Sequence, residues 1–588
     1  MRTTEQENDD EVKKASAKRV KMLIIMKCEA WLSDPDMANQ KKLCCYCTLS
    51  LLLFILLIII ISITVKHSNR AVISPLRAVV AADSKLCSEV GRAPASEEDL
   101  FSLSCRKTVR RTEKYSHLIS KVIRSSQKNT SQFKKQAGTV KIINSRETVP
   151  KTFRPNLSSD CTCSQTGGIN WMGVPGEIRG YERVHRLYGR LPWSRLFQPT
   201  IRLAREGVKL SKIVARYLDG IKNRGARQLF EDEQGRMLKE GDTMKFEKLA
   251  DTLEEIAENG PDEFYTGETA KKLFCDMQRA GGSITLEDLR SVEVSEVEPW
   301  KVSLGNYTMY FPPPPSGAAV VSFILNVMEG YNLNPASLEG KERVLTYHRF
   351  VEAYKFANAQ RKLIKDPRFN NVTKAYAVTR KEFADRIRKK ITDDQTHDAQ
   401  YYSVTPEVDT QGTSHVSVLD EDGMAVSVTS SINYMFGCAE YSPQTGVILN
   451  NQLADFCDRT NQTYTGERPP SSMAPMILRS TKTDDIIVIG ASGGTMITTG
   501  MTMALMNYLW CGKSLNDSIA EPVVFVDGSN SLKFEPKFDK EVKEALKKLK
   551  NTVKYTKRFY NVVNAISKHN GTIYAYSDAR KLGVAAGY

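Results

Sequence analysis

Residues 412–419, Gly-Thr-Ser-His-Val-Ser-Val-Leu, decide how this chain folds. The run HVSVL (415–419) alternates apolar and polar residues with period two. DEDG (420–423) makes a turn, and MAVSVTSSI (424–432) resumes the alternation. The pattern predicts strand, tight turn, strand, with Thr413 at the edge of the first strand. A threonine inside a chain is chemically inert, because its hydroxyl needs a base. Once the Gly412–Thr413 bond is cut, a new α-amine with an ordinary pKa of about 7.7–8.0 sits beside that hydroxyl. It can serve as general base, the N-terminal-amine form of an activated nucleophile. On its own, a Gly-Thr pair before a strand is far more often structural.

The surrounding sequence removes that ambiguity. GTSHVSVLDEDGMAVSVTSSIN, YSPQTGVILNNQLADF, PSSMAP, VIGASGGT and the terminal SDARKLGVAAGY resemble, in order and spacing, the small subunit of the gamma-glutamyltransferases. INSRETVP, VPGEIRGYERVHRLYGRLPWSRLFQPTI and YHRFVEAYKFANAQRKLIKDPRF resemble the large subunit. The likeness covers most of residues 139–588, with AVVAADSKLCSEVG at 78–91. INSRETVP, FPPPPSG, GTSHVSVL and PSSM are most similar to the gamma-glutamyltransferase 5 branch, associated with leukotriene C4 and glutathione conjugates. The resemblance implies an α/β fold, a four-layer αββα sandwich of the N-terminal-nucleophile hydrolase type. It also implies a large subunit at 66–412 and a small catalytic subunit at 413–588.

The 588 residues hold one long apolar run without charge, residues 43–65. Roughly 20 apolar residues span a bilayer, so this run predicts a transmembrane helix. The 42 residues before it are too many for an ordinary signal peptide, so it reads as an uncleaved signal anchor behind a cytoplasmic tail at 1–42. Lys41 and Lys42 on one side, against Lys66, Arg70 and Arg77 on the other, leave orientation open. The sequons at Asn129, Asn156, Asn306, Asn371, Asn461, Asn516 and Asn570 all follow the run. They favour a single-pass type II protein of the plasma membrane with an extracellular, glycosylated body.

A net charge of +15 comes without a nucleic-acid recognition motif or an aromatic-interleaved basic stripe. It reads as solvated surface, and nucleic acid is not an expected partner. Cys28, Cys44, Cys45 and Cys47 are candidates for palmitoylation. Cys161-x-Cys163 is too tightly spaced for a zinc knuckle, so no metal is expected, while Cys87 and Cys105 are a candidate disulfide pair.

Residues 66–92 read as an Ala/Val-rich helical pattern. Residues 93–138 differ in kind: ten lysines and arginines face four acids with poor periodicity. In the family this region carries an apolar helix and a glycine-rich core strand, and neither is recognisable. The expectation is a weakened core, reduced processing and reduced activity. Beyond 139, residues 177–275 and 341–395 read as helical, 320–333 as a compact helix after Pro312–Pro315, 485–490 as a buried strand, 498–510 as an apolar helix, and 396–412 as an exposed linker.

The resemblance assigns chemistry residue by residue. Gly493 and Gly494, between a strand and a helix start, match the oxyanion hole, where one donor is typically worth about 3 kcal/mol of barrier. Arg146, with Ser471 and Ser472, matches the grip on the substrate α-carboxylate, a task suited to a bidentate guanidinium. Asn433 and Asp455 match the groups that hold the α-ammonium. Ser431 stands where the family commonly has threonine. Gln452 stands where it usually has glutamate, a loss expected to weaken ground-state binding by about 1–3 kcal/mol.

The implied mechanism begins with an N→O acyl shift at Gly412–Thr413 that yields two chains. Thr413 then attacks a γ-glutamyl amide in glutathione, glutathione S-conjugates or leukotriene C4. The acyl group passes to water, an amino acid or a dipeptide, and no cofactor is needed. A cephalosporin-acylase-like amidase is a second reading, disfavoured by the Arg146, Ser471 and Ser472 set. An inactive or unprocessed ectodomain is a third.

Overall fold

The hairpin forms with its register fixed end to end: Thr413 pairs with Ser431 and Leu419 with Ala425, across strands Thr413–Leu419 and Ala425–Ser431. Asp420 closes the turn, its side chain accepting from the Met424 amide at 2.6 Å and its carbonyl from the Gly423 amide at 3.1 Å. Such alternation ordinarily puts one face in water. Here every residue of both strands is buried. The valines (Val416, Val418, Val426, Val428) face one core, whereas the polar face meets a second sheet. There His415 bridges Thr429 Oγ1 at 2.8 Å and Ser417 Oγ at 3.0 Å. The Ser417 and Ser427 hydroxyls donate to the carbonyls of Asn564 and Ile489, at 3.2 and 2.9 Å. Buried polar groups persist only when paired in this way.

These features belong to a computed structural model that describes residues 72–73, 78–92, 117–121, 139–153, 160–161, 166–218, 221, 224–404, 412–420, 423–555 and 561–587. The tail at 1–42, the apolar run at 43–65, Asn129, Asn156, Cys105 and Cys163 lie outside them. Among the described residues no helix is long and apolar enough to cross a membrane.

Two seven-stranded antiparallel sheets stack face to face. One runs Ala586–Gly587, Val79–Ala82, Thr413–Leu419, Ala425–Ser431, His117–Lys121, Lys141–Asn144, Ser295–Val297. The other runs Val72–Ile73, Thr572–Ser577, Val562–His569, Ile486–Ser492, Met476–Ser480, Tyr307–Phe311, Trp300–Leu304. Val79, Ala81, Leu419, Ile477, Val488 and Ile566 pack between them. Val184 and Leu187, from helix Glu177–Tyr188, cover the outer face of the first sheet. Helices Ala318–Glu329 and Met496–Leu509 cover the second. This is the expected αββα sandwich. Both covering helices are buried almost all round, each large apolar side chain contributing about 1.5–3 kcal/mol.

Two expectations are corrected. Residues 79–82 are not helical: Val-Val-Ala-Ala is a strand, with Val79 and Ala81 in the inter-sheet core and Val80 and Ala82 in the helix-facing core. A slot buried on both faces overrides the local Ala preference, and helix begins only at Lys85–Arg92. The basic segment also supplies an interior strand of the first sheet. His117–Lys121 pairs with Ala425–Ser431 on one side and Lys141–Asn144 on the other. Five residues filling a ladder between two committed neighbours are too short to show periodicity within 46 residues of basic sequence.

Each sheet interleaves strands from both sides of the 412/413 junction. The junction is therefore no folding boundary.

Candidate active site

Thr413 is buried and begins its strand, so the Gly412 carbonyl lies at the strand's N-terminal end. The Thr413 hydroxyl donates to Ser431 Oγ at 3.3 Å, and Ser431 donates to the Gly412 carbonyl at 2.7 Å. One hydroxyl thus joins the candidate nucleophile to the carbonyl it would attack. Gly412 sits at φ +127, and a Cβ there would come within 2.1 Å of the Asn433 carbonyl, so only glycine fits. The Asn433 amide donates to Ser431 Oγ at 3.0 Å, and its side chain donates to the Asn451 carbonyl at 3.2 Å.

Behind Thr413 lies a cluster that the sequence reading missed. Lys581 Nζ donates to the Thr413 carbonyl at 2.7 Å, to Ser492 Oγ at 2.6 Å and to Asp83 Oδ2 at 2.9 Å. Asn564 joins Asp83 Oδ1 and the His415 carbonyl. All of these side chains are buried. Ser492 ends its strand, and Gly493 (φ +129) and Gly494 (φ +60) turn the chain into helix Met496–Leu509. Lys581 therefore couples the Thr413 strand to the glycine turn. The helix start after that turn favours negative charge.

A second hub holds Arg146, Gln452 and Asp455. Arg146 Nη2 and Gln452 Nε2 both donate to Asp455 Oδ2, at 2.7 and 2.8 Å. Arg146 also donates to the carbonyls of Pro469 and Pro470, at 2.6 and 2.9 Å. Its Nη1 is buried with no hydrogen-bond partner among the described residues. Arg468, just before these prolines, donates to the Arg146 and Glu293 carbonyls at 3.3 and 2.8 Å. Burial, with Arg368 nearby, pushes its pKa down to about 10.

Ser471 and Ser472 follow the prolines. The Ser471 amide donates to the Pro315 carbonyl at 2.8 Å. Ser472 Oγ accepts from Arg361 Nη1 at 3.0 Å. Arg361, also missed, is buried among neutral partners, Asn358, Tyr354 and Thr498. The two hubs meet through the Asn433 bond to Asn451, the neighbour of Gln452. The arrangement combines a hydroxyl at a cleavable bond, a glycine turn at a helix start, and a guanidinium–carboxylate pair with an unused donor.

Cys161 pairs with Cys457. Cys87 is unpaired among the described residues. The expected Cys87 pairing reached to Cys105, outside them. Asn306, Asn371, Asn461 and Asn570 are exposed and Asn516 half-exposed, as glycan acceptors need to be.

The chain is similar to known proteins over most of its length. The profile of the family described as Gamma-glutamyltranspeptidase matches residues 131–588. Glutathione hydrolase 5 proenzyme of Rattus norvegicus is 39% identical over 544 residues, covering 87% of this chain and 93% of that protein. The Homo sapiens protein of the same name is 38% identical over 554 residues, with the same coverage of 87% and 93%. The crystal structure of cephalosporin acylase from Bacillus halodurans superposes with a TM-score of 0.74 at 22% identity, covering 88% of this chain and 97% of that one. At that identity the likeness is one of fold.

Proposed function

The chain belongs to the gamma-glutamyltranspeptidase family and is a γ-glutamyl-transferring enzyme of the N-terminal-nucleophile type; from that premise we propose that it is made as a precursor, cuts itself at Gly412–Thr413, and uses Thr413 as nucleophile and base. The observation that carries this is the Thr413–Ser431–Gly412 hydroxyl chain. Thr413 Oγ1 attacks the Gly412 carbonyl carbon and passes its proton to Ser431, which gives its own to the carbonyl oxygen. The intermediate's hydroxyl then returns its proton to the nitrogen as the C–N bond breaks and the carbonyl re-forms, leaving an ester that water hydrolyses. The freed α-amine then serves as base for the same hydroxyl in every turnover.

In the substrate step Arg146, through its unused Nη1, and Ser471 and Ser472 hold the α-carboxylate. Asp455, Asn433 and Gln452 hold the α-ammonium, with Ser431 beside the reacting group. Gly493 and Gly494 donate to the tetrahedral oxyanion. The acyl-enzyme is a γ-glutamyl ester of Thr413, and it passes to water, an amino acid or a dipeptide. The substrates are glutathione and its S-conjugates, leukotriene C4 among them. Likeness to two proteins named glutathione hydrolase 5 proenzyme supports glutathione among these.

Residues 43–65 anchor the protein in the plasma membrane, with the body outside the cell. A disulfide, typical of oxidising compartments, and exposed sequons support this side.

N-terminal sequencing of the smaller chain tests the reading. It should begin Thr-Ser-His-Val, and Thr413→Ala should stay one chain. A different start, or processing of Thr413→Ala, overturns it.

A further inference from the structure

Cys161 precedes the 412/413 junction and Cys457 follows it, 296 residues apart in sequence. Cys457 is the residue directly after the short helical turn Gln452–Phe456, which carries Asp455. The underside of that turn, Leu453, Ala454 and Phe456, packs on Val149, Phe153 and Trp171 from the other side of the junction. Phe153 meets Trp171 edge to face, with ring centroids 5.6 Å apart. Val149 lies three residues beyond Arg146. One small apolar core therefore supports both halves of the Arg146–Asp455 pair, and Cys161 and Cys457 pack at its margin.

We propose that Cys161–Cys457 is a covalent bond between the two mature chains and that it positions the Gln452–Phe456 turn to grip the γ-glutamyl head. The inter-chain part rests on the self-cleavage reading above; the positioning part does not. Before cleavage the two sides are joined by peptide bonds as well. After it, the disulfide is the covalent link at the substrate grip, and its Cα–Cα distance of 5.5 Å fixes how close the turn stands to its partner.

The segment from Cys457 to Ser472 is then held at both ends. The disulfide holds the Asp455 end, and the Arg146 bonds to Pro469 and Pro470 hold the serine end. The nucleophile, by contrast, is held by Lys581, Asp83 and Ser492, which the disulfide does not touch. Losing the bond should loosen substrate binding and leave the chemical step nearly intact. Reduction by a dithiol consumes the S–S bond, gives two cysteine thiols, and leaves the reductant as its own disulfide.

The test uses the full chain, purified without reductant and blocked with iodoacetamide. A non-reduced digest should contain a linked Cys161–Cys457 peptide. A non-reducing denaturing gel should keep both chains in one band that a reducing gel splits. Cys457→Ser should give two bands without reductant. It should also raise KM for a γ-glutamyl anilide roughly ten-fold while kcat changes less than about two-fold.

Should Cys457→Ser fail to fold, reducing the folded native enzyme with dithiothreitol should produce the same KM rise, and reoxidation should reverse it. Absence of the linked peptide overturns the proposal. So does an unchanged KM in both the variant and the reduced enzyme. A single band on both gels overturns self-cleavage and with it the inter-chain part, and the peptide map and KM still decide the positioning role.

Discussion

Lys581 donates to the carbonyl of Thr413 at 2.7 Å, from a position 168 residues further along the chain. The same ammonium meets Asp83 and Ser492, so the residue that would attack, the strand that ends at the glycine turn, and an early aspartate share one cation. Removing that cation leaves the Asp83 carboxylate buried without its charge partner. Breaking a buried pair in this way typically costs about 3–5 kcal/mol. Lys581→Met is therefore expected to lower the urea midpoint and to accumulate as uncut precursor. Lys581→Arg, which keeps the charge but not the shape, should fall between. Maturation of Lys581→Met at the native rate would show that the cluster does not hold Thr413 in place.

Ser431 stands between the Thr413 hydroxyl and the Gly412 carbonyl. Ser431→Ala should slow appearance of the two chains by about 10²-fold, the low end of what a positioned proton-transfer group contributes. Ser431→Thr should restore it. The half-time of precursor loss on a reducing gel is the readout, and an unaffected half-time in the alanine variant would remove Ser431 from the relay.

Gln452 donates to Asp455 through its amide, which a glutamate cannot do when ionised. Gln452→Glu sets two carboxylates against each other, and like charges at that range raise one pKa. At acid pH one carboxyl keeps its proton, donates as the amide did, and leaves KM little changed. At alkaline pH both ionise, and the substrate ammonium gains a second anion. KM for a γ-glutamyl anilide should thus fall in the variant at pH 8.5 more than at pH 6. Equal KM at both pH values in variant and native enzyme would mean the ammonium is held elsewhere.

His117–Lys121 occupies an interior position of its sheet, with Ile119 opposite Val428 and Ile143. Proline at 119 removes a ladder donor where central strands do not tolerate it. Ile119→Pro should give insoluble or uncut protein. Soluble, processed Ile119→Pro would return the segment to the status of a dispensable insert.

The hairpin, the glycine turn and the Arg146, Asp455 and serine positions were legible because each lies in a short local pattern or a family motif. The Lys581–Asp83 cluster was not, since its members lie 498 residues apart and each alone reads as an ordinary surface charge. Alternation in residues 415–419 announced a strand but could not tell that His415 and Ser417 face a second sheet instead of water. The partner of Cys161 was equally hidden: spacing relates cysteines along the chain, and Cys457 is its neighbour only in space. Val79–Ala82 misled because small residues suit a helix and a doubly covered strand alike.

Both sheets contain strands from before and from after Gly412–Thr413, and this bears on when the proposed cut can happen. If the chain cuts itself there as proposed, the cut follows folding, because neither product would contain a complete sheet to fold into. On that reading a mature enzyme that is both denatured and reduced, so that Cys161–Cys457 no longer ties its two chains, faces a two-body assembly problem that the nascent chain never met. Under reducing conditions heat inactivation should accordingly be a one-way, scan-rate-dependent process for processed protein, while the Thr413→Ala precursor regains its structure on cooling.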